Sequence, residues 1–205
     1  MREPLAAVVP ALTVARSELI LGGQKSGKSR RAELLARVWL AASSSHNAVL
    51  IATAQAWDDE MLERIQRHQA DRAQRVPGMA TVEEPLALGA AISHHSHAHT
   101  LMVVDCLTLW LTNLLMPHGG QAETPAKSAS HAEYAWELPL ATALEHAPGP
   151  VVLVGNEIGL GVIPLGREVR YFVDALGHLN QRMAQLCARV TLMAAGLPLA
   201  LKDTA

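Results

Sequence analysis

Aromatic side chains are nearly missing from this chain: one Phe, two Tyr and four Trp among 205 residues. Its core must therefore be assembled from Ala, Leu, Val and Ile, which the 50 % apolar content supplies. Neither sign of charge dominates. Seventeen Lys and Arg against 19 Asp and Glu leave a formal −2, with both signs interspersed, which argues against a broad face for nucleic acid or anionic lipid. Cysteine is scarce too. Cys106 and Cys187 form no C-x-x-C pair and point to a reducing, cytoplasmic setting. Cys106 continues an apolar run and reads as a small core residue rather than a nucleophile. No apolar run reaches the ~18 residues needed to cross a bilayer, so no membrane insertion is expected. The Ala/Val/Pro stretch within residues 1–16 has a superficial likeness to a short signal, but a motif beginning at Gly22 makes a flexible N-terminal extension the expectation. The remainder, 17–205, suits one domain that buries roughly 70 % of its unfolded surface.

What the chain does have is a phosphate-binding loop. Gly22, Gly23, Gln24, Lys25, Ser26, Gly27, Lys28 and Ser29 satisfy G-x-x-x-x-G-K-[ST]. The apolar run Leu19–Leu21 before it reads as a buried strand, and the run 30–42 after it reads as a helix. Backbone N–H groups of such a loop, with the helix N-terminus, make a concave anion site. Lys28 would reach the β- and γ-phosphates, and the Ser29 hydroxyl would ligate Mg²⁺. A side chain at Gly22 or Gly27 would hold the backbone away from the phosphates. An ordinary Gly/Ser turn with an exposed lysine leaves unexplained why Lys28 and Ser29 stand where a helix begins.

Strand and helix signals then alternate, as a mostly parallel sheet flanked by helices requires, so the fold class is α/β, a single P-loop NTPase-like domain. Strands are expected at 48–52, 81–83, 100–105, 151–154 and 190–193. Helices are expected at 58–75, with Asp58 or Asp59 as its cap, and at 85–92, 107–115, 131–145 and 169–188. Residues 117–130, rich in Gly, Pro, Ser and Thr, read as a mobile surface loop. Residues 155–166 read as a glycine-rich loop too long for a turn, and no internal repeat is evident.

Asp105 ends a hydrophobic strand, where P-loop proteins place the acid that holds Mg²⁺ through water; capping alone also leaves Asp at strand ends. On the 58–75 helix, Arg64, His68, Asp71, Arg72 and Arg75 recur at three- and four-residue spacing and share one face. That face is either a solvated basic surface or a second wall against the phosphates. In the second reading neighbouring guanidinium groups keep His68 neutral, and a neutral imidazole attacks phosphorus. Asn156 and Glu157 follow a strand and would point into the crevice at the sheet edge, or belong to a plain glycine-rich connection. The run His94-His-Ser-His-Ala-His99 has no thiolate or carboxylate partners beside it and reads as a polar surface loop, with metal binding the lesser alternative.

Taken together these segments resemble the bifunctional adenosylcobinamide kinase / adenosylcobinamide-phosphate guanylyltransferase family of cobalamin biosynthesis. The matching pieces are Gly22–Ser29, Ile51-Ala-Thr-Ala-Gln55, Asp58-Asp-Glu-Met61, Arg64-Ile-Gln-Arg-His68 and Thr81-Val-Glu-Glu-Pro85. Val104–Asn113, Asn156–Pro164, Gly177-His-Leu-Asn-Gln181 and Gly196-Leu-Pro-Leu199 follow in the family's order, so the likeness runs from about Leu19 to Lys202. The resemblance implies phosphorylation of the adenosylcobinamide hydroxyl by ATP or GTP, then transfer of GMP from GTP through a histidine to the cobinamide phosphate. It implies that His68 is the guanylylated residue and that Gly22 to Ser29 hold the triphosphate. Ala52, Thr53 and Ala54, with Gln69, Ala70, Asp71 and Arg72, would line the nucleotide; Glu83 and Asp105 would add nucleotide or Mg²⁺ contacts. Homo-oligomers, trimers included, are implied as well. The chain departs from the family at Arg67-His68, where some members carry two adjacent histidines, at Val173 between Phe172 and Asp174, and at His178; arginine is usual at the last two. Two other readings remain at this point: a P-loop kinase of another small alcohol with His68 idle, and a nucleotide-binding switch with no transferase activity.

Overall fold

The computed structural model describes residues 12–56, 58–116 and 134–204. Among the described residues seven strands make one sheet: β1 (Ser17–Gly22), β2 (Asn47–Ala52), β3 (Met79–Glu83), β4 (Thr100–Asp105), β5 (Val151–Val154), β6 (Arg189–Ala194) and β7 (Leu197–Asp203). Their order is β3-β2-β4-β5-β1-β6-β7, and every neighbouring pair is parallel except β6 with β7. The helices are α1 (Lys28–Ala42), α2 (Asp59–Arg75), α3 (Leu88–His95), α4 (Leu107–Leu115), α5 (Leu138–His146) and α6 (Arg167–Leu186), with a 3₁₀ turn at Ala135–Glu137 leading into α5.

Alternation along the central strands sorts the core into two layers. Leu19, Met102, Val104, Val151 and Leu153 pack with α3, α4, α5 and α6. Ile20, Leu101, Val103, Val152 and Val154 pack on the opposite face with Ala32, Leu35 and Ala36 of α1. Central strands buried on both faces are why the sequence shows continuous apolar runs at 101–104 and 151–154. No helix among the described residues is long and apolar enough to cross a membrane.

Glu18 and Glu33 are among the charged residues buried in this frame. Glu18 on β1 is fully enclosed and takes Arg31 Nε at 2.8 Å and Thr191 Oγ1 at 2.8 Å, with Arg189 Nη1 3.6 Å from its other oxygen. Glu33 on α1 takes Arg75 Nη1 of α2 at 3.0 Å.

The alternation of elements, the mostly parallel sheet and the 100–105 and 151–154 strands stand as the sequence reads them. Several features differ. The α/β pattern stopped at 193, but the chain turns back as β7 through a two-residue turn, Ala195-Gly196, both at positive φ (51° and 82°) as a type I′ hairpin requires. The helix expected at 85–92 starts later, at Leu88, because the Glu84 carboxylate accepts from the N–H groups of Leu86 and Ala87 and fixes a turn there. That helix runs on to His95, so His94 and His95 are helical rather than part of a surface loop. Residues 12–16 are packed, not free: Leu12 and Val14 lean on the core, and the Thr13 carbonyl accepts from Arg189 at 2.7 Å. The helix expected at 131–145 begins only at Leu138, after the 3₁₀ turn at Ala135–Glu137; residues 1–11 of the expected extension, the loop 117–130 and residues 131–133 lie outside the described residues.

Candidate active site

Five strand ends converge on one edge of the sheet. Gly22 closes β1, Ala52 closes β2, Glu83 closes β3, Asp105 closes β4, and Gly155 follows β5. In register, Ala52 pairs with both Glu83 and Asp105, and Asp105 pairs with Val154. Crevices beyond the carboxyl ends of parallel strands are where open α/β sheets take ligands.

The phosphate loop leaves β1 at Gly22 and enters α1 at Lys28. Gly27, at φ 104°, is the residue before the helix and gives it no side-chain cap, so the first N–H groups of α1 stay free for an anion. Gly23, Gln24 and Lys25 form the exposed crown, while Ser26 is buried with its Oγ lacking a hydrogen-bond partner. The glycines are explained differently from the sequence reading. A Cβ on Gly22 would lie 2.4 Å from the Met193 carbonyl oxygen, and one on Gly27 would lie 3.3 Å from Gly196 Cα. The β6–β7 hairpin therefore braces the loop from beneath, with the Gly196 N–H donating to the Ser26 carbonyl at 3.0 Å. Met193 and Gly196 are the contributors the sequence reading missed. Their signal was the Ala-Gly turn between two apolar alternating runs.

Lys28 is buried, and its ammonium folds back to donate to the Gly23 carbonyl at 2.6 Å. Burial pulls its pKa below the ordinary 10.5, partly countered by the charges of Cys106 and Asp105. Ser29 and Asp105 are half-buried at the same edge, and a hydroxyl with a carboxylate is the hard oxygen donor set that Mg²⁺ takes. Cys106 is buried at the start of α4, and enclosure pushes its thiol up to about 11, which fits the core role and not a nucleophile. Thr53 is fully buried. Its hydroxyl donates to the Cys106 carbonyl (2.7 Å) and accepts from the Cys106 N–H (2.8 Å), while its own carbonyl accepts from Asn113 Nδ2 at 2.8 Å. Its polar groups are thus engaged in tying β2 to β4, and Ala52 and Ala54 on either side are the half-buried residues that border the crevice.

Helix α2 closes the other side. Asp58 caps it by accepting from the Met61 N–H at 2.7 Å. Gln69 Nε2 donates to Glu83 at 3.1 Å, and Arg75 bridges Glu33 and Asp71 at 3.0 and 2.8 Å. None of its described residues is buried. The five-residue face divides: Arg72 and Arg75 turn inward toward α1, His68 and Asp71 are exposed, as is Ala70, and the Arg64 side chain lies outside the described atoms. Arg72 Nε is buried without a hydrogen-bond partner one turn from His68. Burial raises the Glu33 carboxyl above its ordinary 4.5, against the opposing pull of Arg75 and Arg72.

The β5–α6 loop is clamped to the phosphate loop by backbone: the Glu157 N–H donates to the Gly22 carbonyl at 3.1 Å, and the Asn156 N–H to Thr108 Oγ1 at 2.9 Å. The Glu157 carboxylate accepts from the Gly159 N–H at 2.8 Å. It caps its own loop instead of pointing into the crevice. The histidine run is not drawn into the site, and among the described residues no three His, Cys, Asp or Glu side chains are grouped to hold a metal. His99 instead faces His46, which stacks on Trp39 at 3.8 Å.

A mostly parallel sheet with a glycine loop running straight into α1 places this chain in the P-loop-like α/β class. Residues 18–201 match the family described as cobinamide kinase / cobinamide phosphate guanyltransferase (CobU). The chain is similar to the bifunctional adenosylcobalamin biosynthesis protein CobP of Pseudomonas aeruginosa, 46 % identical over 185 residues, covering 90 % of this chain and 96 % of that protein. It is similar also to the bifunctional adenosylcobalamin biosynthesis proteins CobU of Escherichia coli and of Salmonella typhimurium, each 34 % identical over 187 residues, 90 % of this chain and 98 % of the relative. The chain belongs to the cobinamide kinase / cobinamide phosphate guanyltransferase family, and it is an enzyme, a transferase.

Proposed function

We propose that the protein phosphorylates adenosylcobinamide with ATP or GTP, then takes GMP from GTP onto His68 and delivers it to adenosylcobinamide phosphate, giving adenosylcobinamide-GDP. What supports this reading is the phosphate loop running into α1 with Lys28 near Asp105, and α2, the helix bearing His68 and Arg72, tied to the end of β3 by Gln69–Glu83 and to α1 by Arg75–Glu33. In the first reaction Gly22 to Ser29 seat the triphosphate. Lys28 leaves the Gly23 carbonyl to meet the β- and γ-phosphates, and the acceptor oxygen attacks the γ-phosphorus as the nucleoside diphosphate departs. Ser29 and Asp105 would hold Mg²⁺, which when bound neutralises charge on the triphosphate. In the second reaction a ring nitrogen of His68 attacks the α-phosphorus and the bond to the pyrophosphate oxygen breaks. An oxygen of adenosylcobinamide phosphate then displaces the imidazole. Two displacements replace one difficult step.

Ala52, Ala54, Gln69, Ala70, Asp71 and Glu83 border the nucleotide in this reading, and Thr53 shapes that border from behind. Arg72, whose Nε lacks a partner, would turn to meet phosphate oxygens as α2 moves. Since α2 is tied to the body by polar contacts at Gln69 and Arg75, it is the element that moves toward the loop when nucleotide is bound. A cytoplasmic homo-oligomer, a trimer by family resemblance, completes the reading. Chromatographic assay of adenosylcobinamide with GTP tests it. Wild type should yield the phosphate and then the GDP ester, Lys28→Ala should lose both, and His68→Ala should accumulate the phosphate alone. A His68→Ala enzyme that still makes the GDP ester would leave a kinase with His68 idle in the first reaction and another nucleophile in the second.

A further inference from the structure

Beyond the crevice, the β5–α6 loop and the facing side of α6 enclose a cleft of about 710 Å³. Val162 and Ile163 border it from the loop, and Asp174, Gly177, His178 and Gln181 from the helix. The loop is unusually bare of cover: Val162 is 96 % exposed, Leu165 97 % and Leu160 83 %. Arg170 Nη1 straps its far end to α6 by donating to the Pro164 and Leu165 carbonyls. At the rim the Tyr134 ring stacks on His178 at 4.1 Å, and His178 Nε2 lies 3.4 Å from Glu137. Gly177 is the anomaly. It lies in the interior of a 20-residue helix, where glycine is the poorest former after proline. Yet among the described residues no atom beyond its chain neighbours and the adjacent turns of its own helix backbone comes within 4 Å of where its Cβ would be. Internal packing therefore gives no reason for it; the missing side chain leaves open floor in the cleft.

We infer that this cleft seats the second substrate, a broad ring system with an aliphatic rim and amide fringe, and that Gly177 is glycine because the edge of that ring rests on it. The inference depends on the proposed function for the identity of the acceptor, adenosylcobinamide. Access fixes the side of approach. The β6–β7 hairpin braces the phosphate loop from one side, and the cleft's own loop is bonded to it from the other, the Glu157 N–H donating to the Gly22 carbonyl, so the cleft adjoins the loop that would hold the transferred phosphate. Val162 and Ile163 would cover aliphatic rim that water otherwise meets; Asp174 and Gln181 present acceptors and a donor to amides.

The test is Gly177→Ala and Gly177→Leu in the full chain, with Val162→Asp as an independent probe of the opposite wall. Gly177→Ala should keep or raise the Tm, since alanine favours helix, which removes misfolding as an explanation. Affinity for GTP and the amount of GMP taken onto the protein without acceptor should match wild type. The KM for adenosylcobinamide should rise about tenfold in Gly177→Ala, the size of one misplaced methyl group, and further in Gly177→Leu. Acceptor kinetics unchanged in all three variants would overturn the inference. So would a change of oligomeric mass that tracks the loss, because the cleft would then be a surface between copies of the chain. Equilibrium dialysis of adenosylcobinamide separates this inference from the function it rests on. Wild-type binding weakened by Gly177→Leu, without phosphorylation, would overturn the kinase reading and support the cleft. Binding indifferent to Gly177→Leu would overturn the cleft alone, and no wild-type binding would overturn both.

Discussion

Gly22→Ala places a methyl carbon 2.4 Å from the Met193 carbonyl oxygen and 2.6 Å from Ser26 Oγ, at a φ of 150°. The Ser26 hydroxyl can rotate aside. The Met193 carbonyl cannot, because β6 is held in parallel register with β1, Gly22 opposite Met193. Overpacking against neighbours that cannot yield costs about 1–3 kcal/mol, and a side chain held at this positive φ about 1–3 kcal/mol more. The sum is about 2–6 kcal/mol, and at about 2–4 °C per kcal/mol for a chain of this size the Tm falls by at least about 4 °C. Relief comes only by lifting the loop off the hairpin, so affinity for a fluorescent GTP analogue falls with it. Gly23→Ala is the matched control: nothing described lies within 4 Å of its Cβ, and its stability should stay within about 0.5 kcal/mol of wild type. Urea unfolding of the three proteins decides the matter. A Gly22→Ala midpoint equal to wild type, or a Gly23→Ala midpoint that falls as far, would refute the bracing of the loop by the hairpin.

Three further outcomes follow from the charges. Triphosphate should restore the lowered pKa of Lys28, so between that value and the ordinary 10.5 GTP binding takes up a proton; calorimetry in buffers of different ionisation enthalpy detects it, and Lys28→Arg, always charged, should show none. Glu18→Ala removes the fully enclosed partner of Arg31 and Arg189, and urea unfolding should show a loss of about 3–5 kcal/mol, the cost of breaking a buried ion pair. The Glu33 carboxyl is raised above its ordinary 4.5. Between those values the folded chain holds a proton that the unfolded chain has lost, so this contribution to stability is present below 4.5 and disappears as pH rises through the raised value. Glu33→Gln should flatten that decline in a series of unfolding curves, and an unchanged slope would contradict it.

The legible parts of the fold were those fixed by local rules. The 151–154 strand carries its boundary in a continuous apolar run, and Asp58 caps α2 because a carboxylate ahead of a helical stretch has an N–H to accept from. What escaped depended on contacts distant in sequence. The β7 strand follows a turn with alanine in its first central position, where Asn or Asp would have advertised a hairpin. The bracing of Gly22 by Met193 joins residues at opposite ends of the chain. Within the site, the place of the phosphate loop between β1 and α1, and of Asp105 at the end of β4, was readable from the apolar runs that stop there. The part played by Thr53 was not, since only the fold brings Cys106 and Asn113 to it. The basic face of α2 looked uniform from spacing alone; tertiary contacts separate Arg75, paired with Glu33, from an exposed His68.

The most direct measurement is a single turnover of the full-length enzyme with GTP labelled at the α-phosphate and no acceptor present. Label should remain on the denatured protein, be released by acid but not by base, map to the peptide containing His68, and leave as the GDP ester when adenosylcobinamide phosphate is added. Equal labelling of His68→Ala, or no covalent label while the GDP ester still forms, would contradict transfer through this histidine.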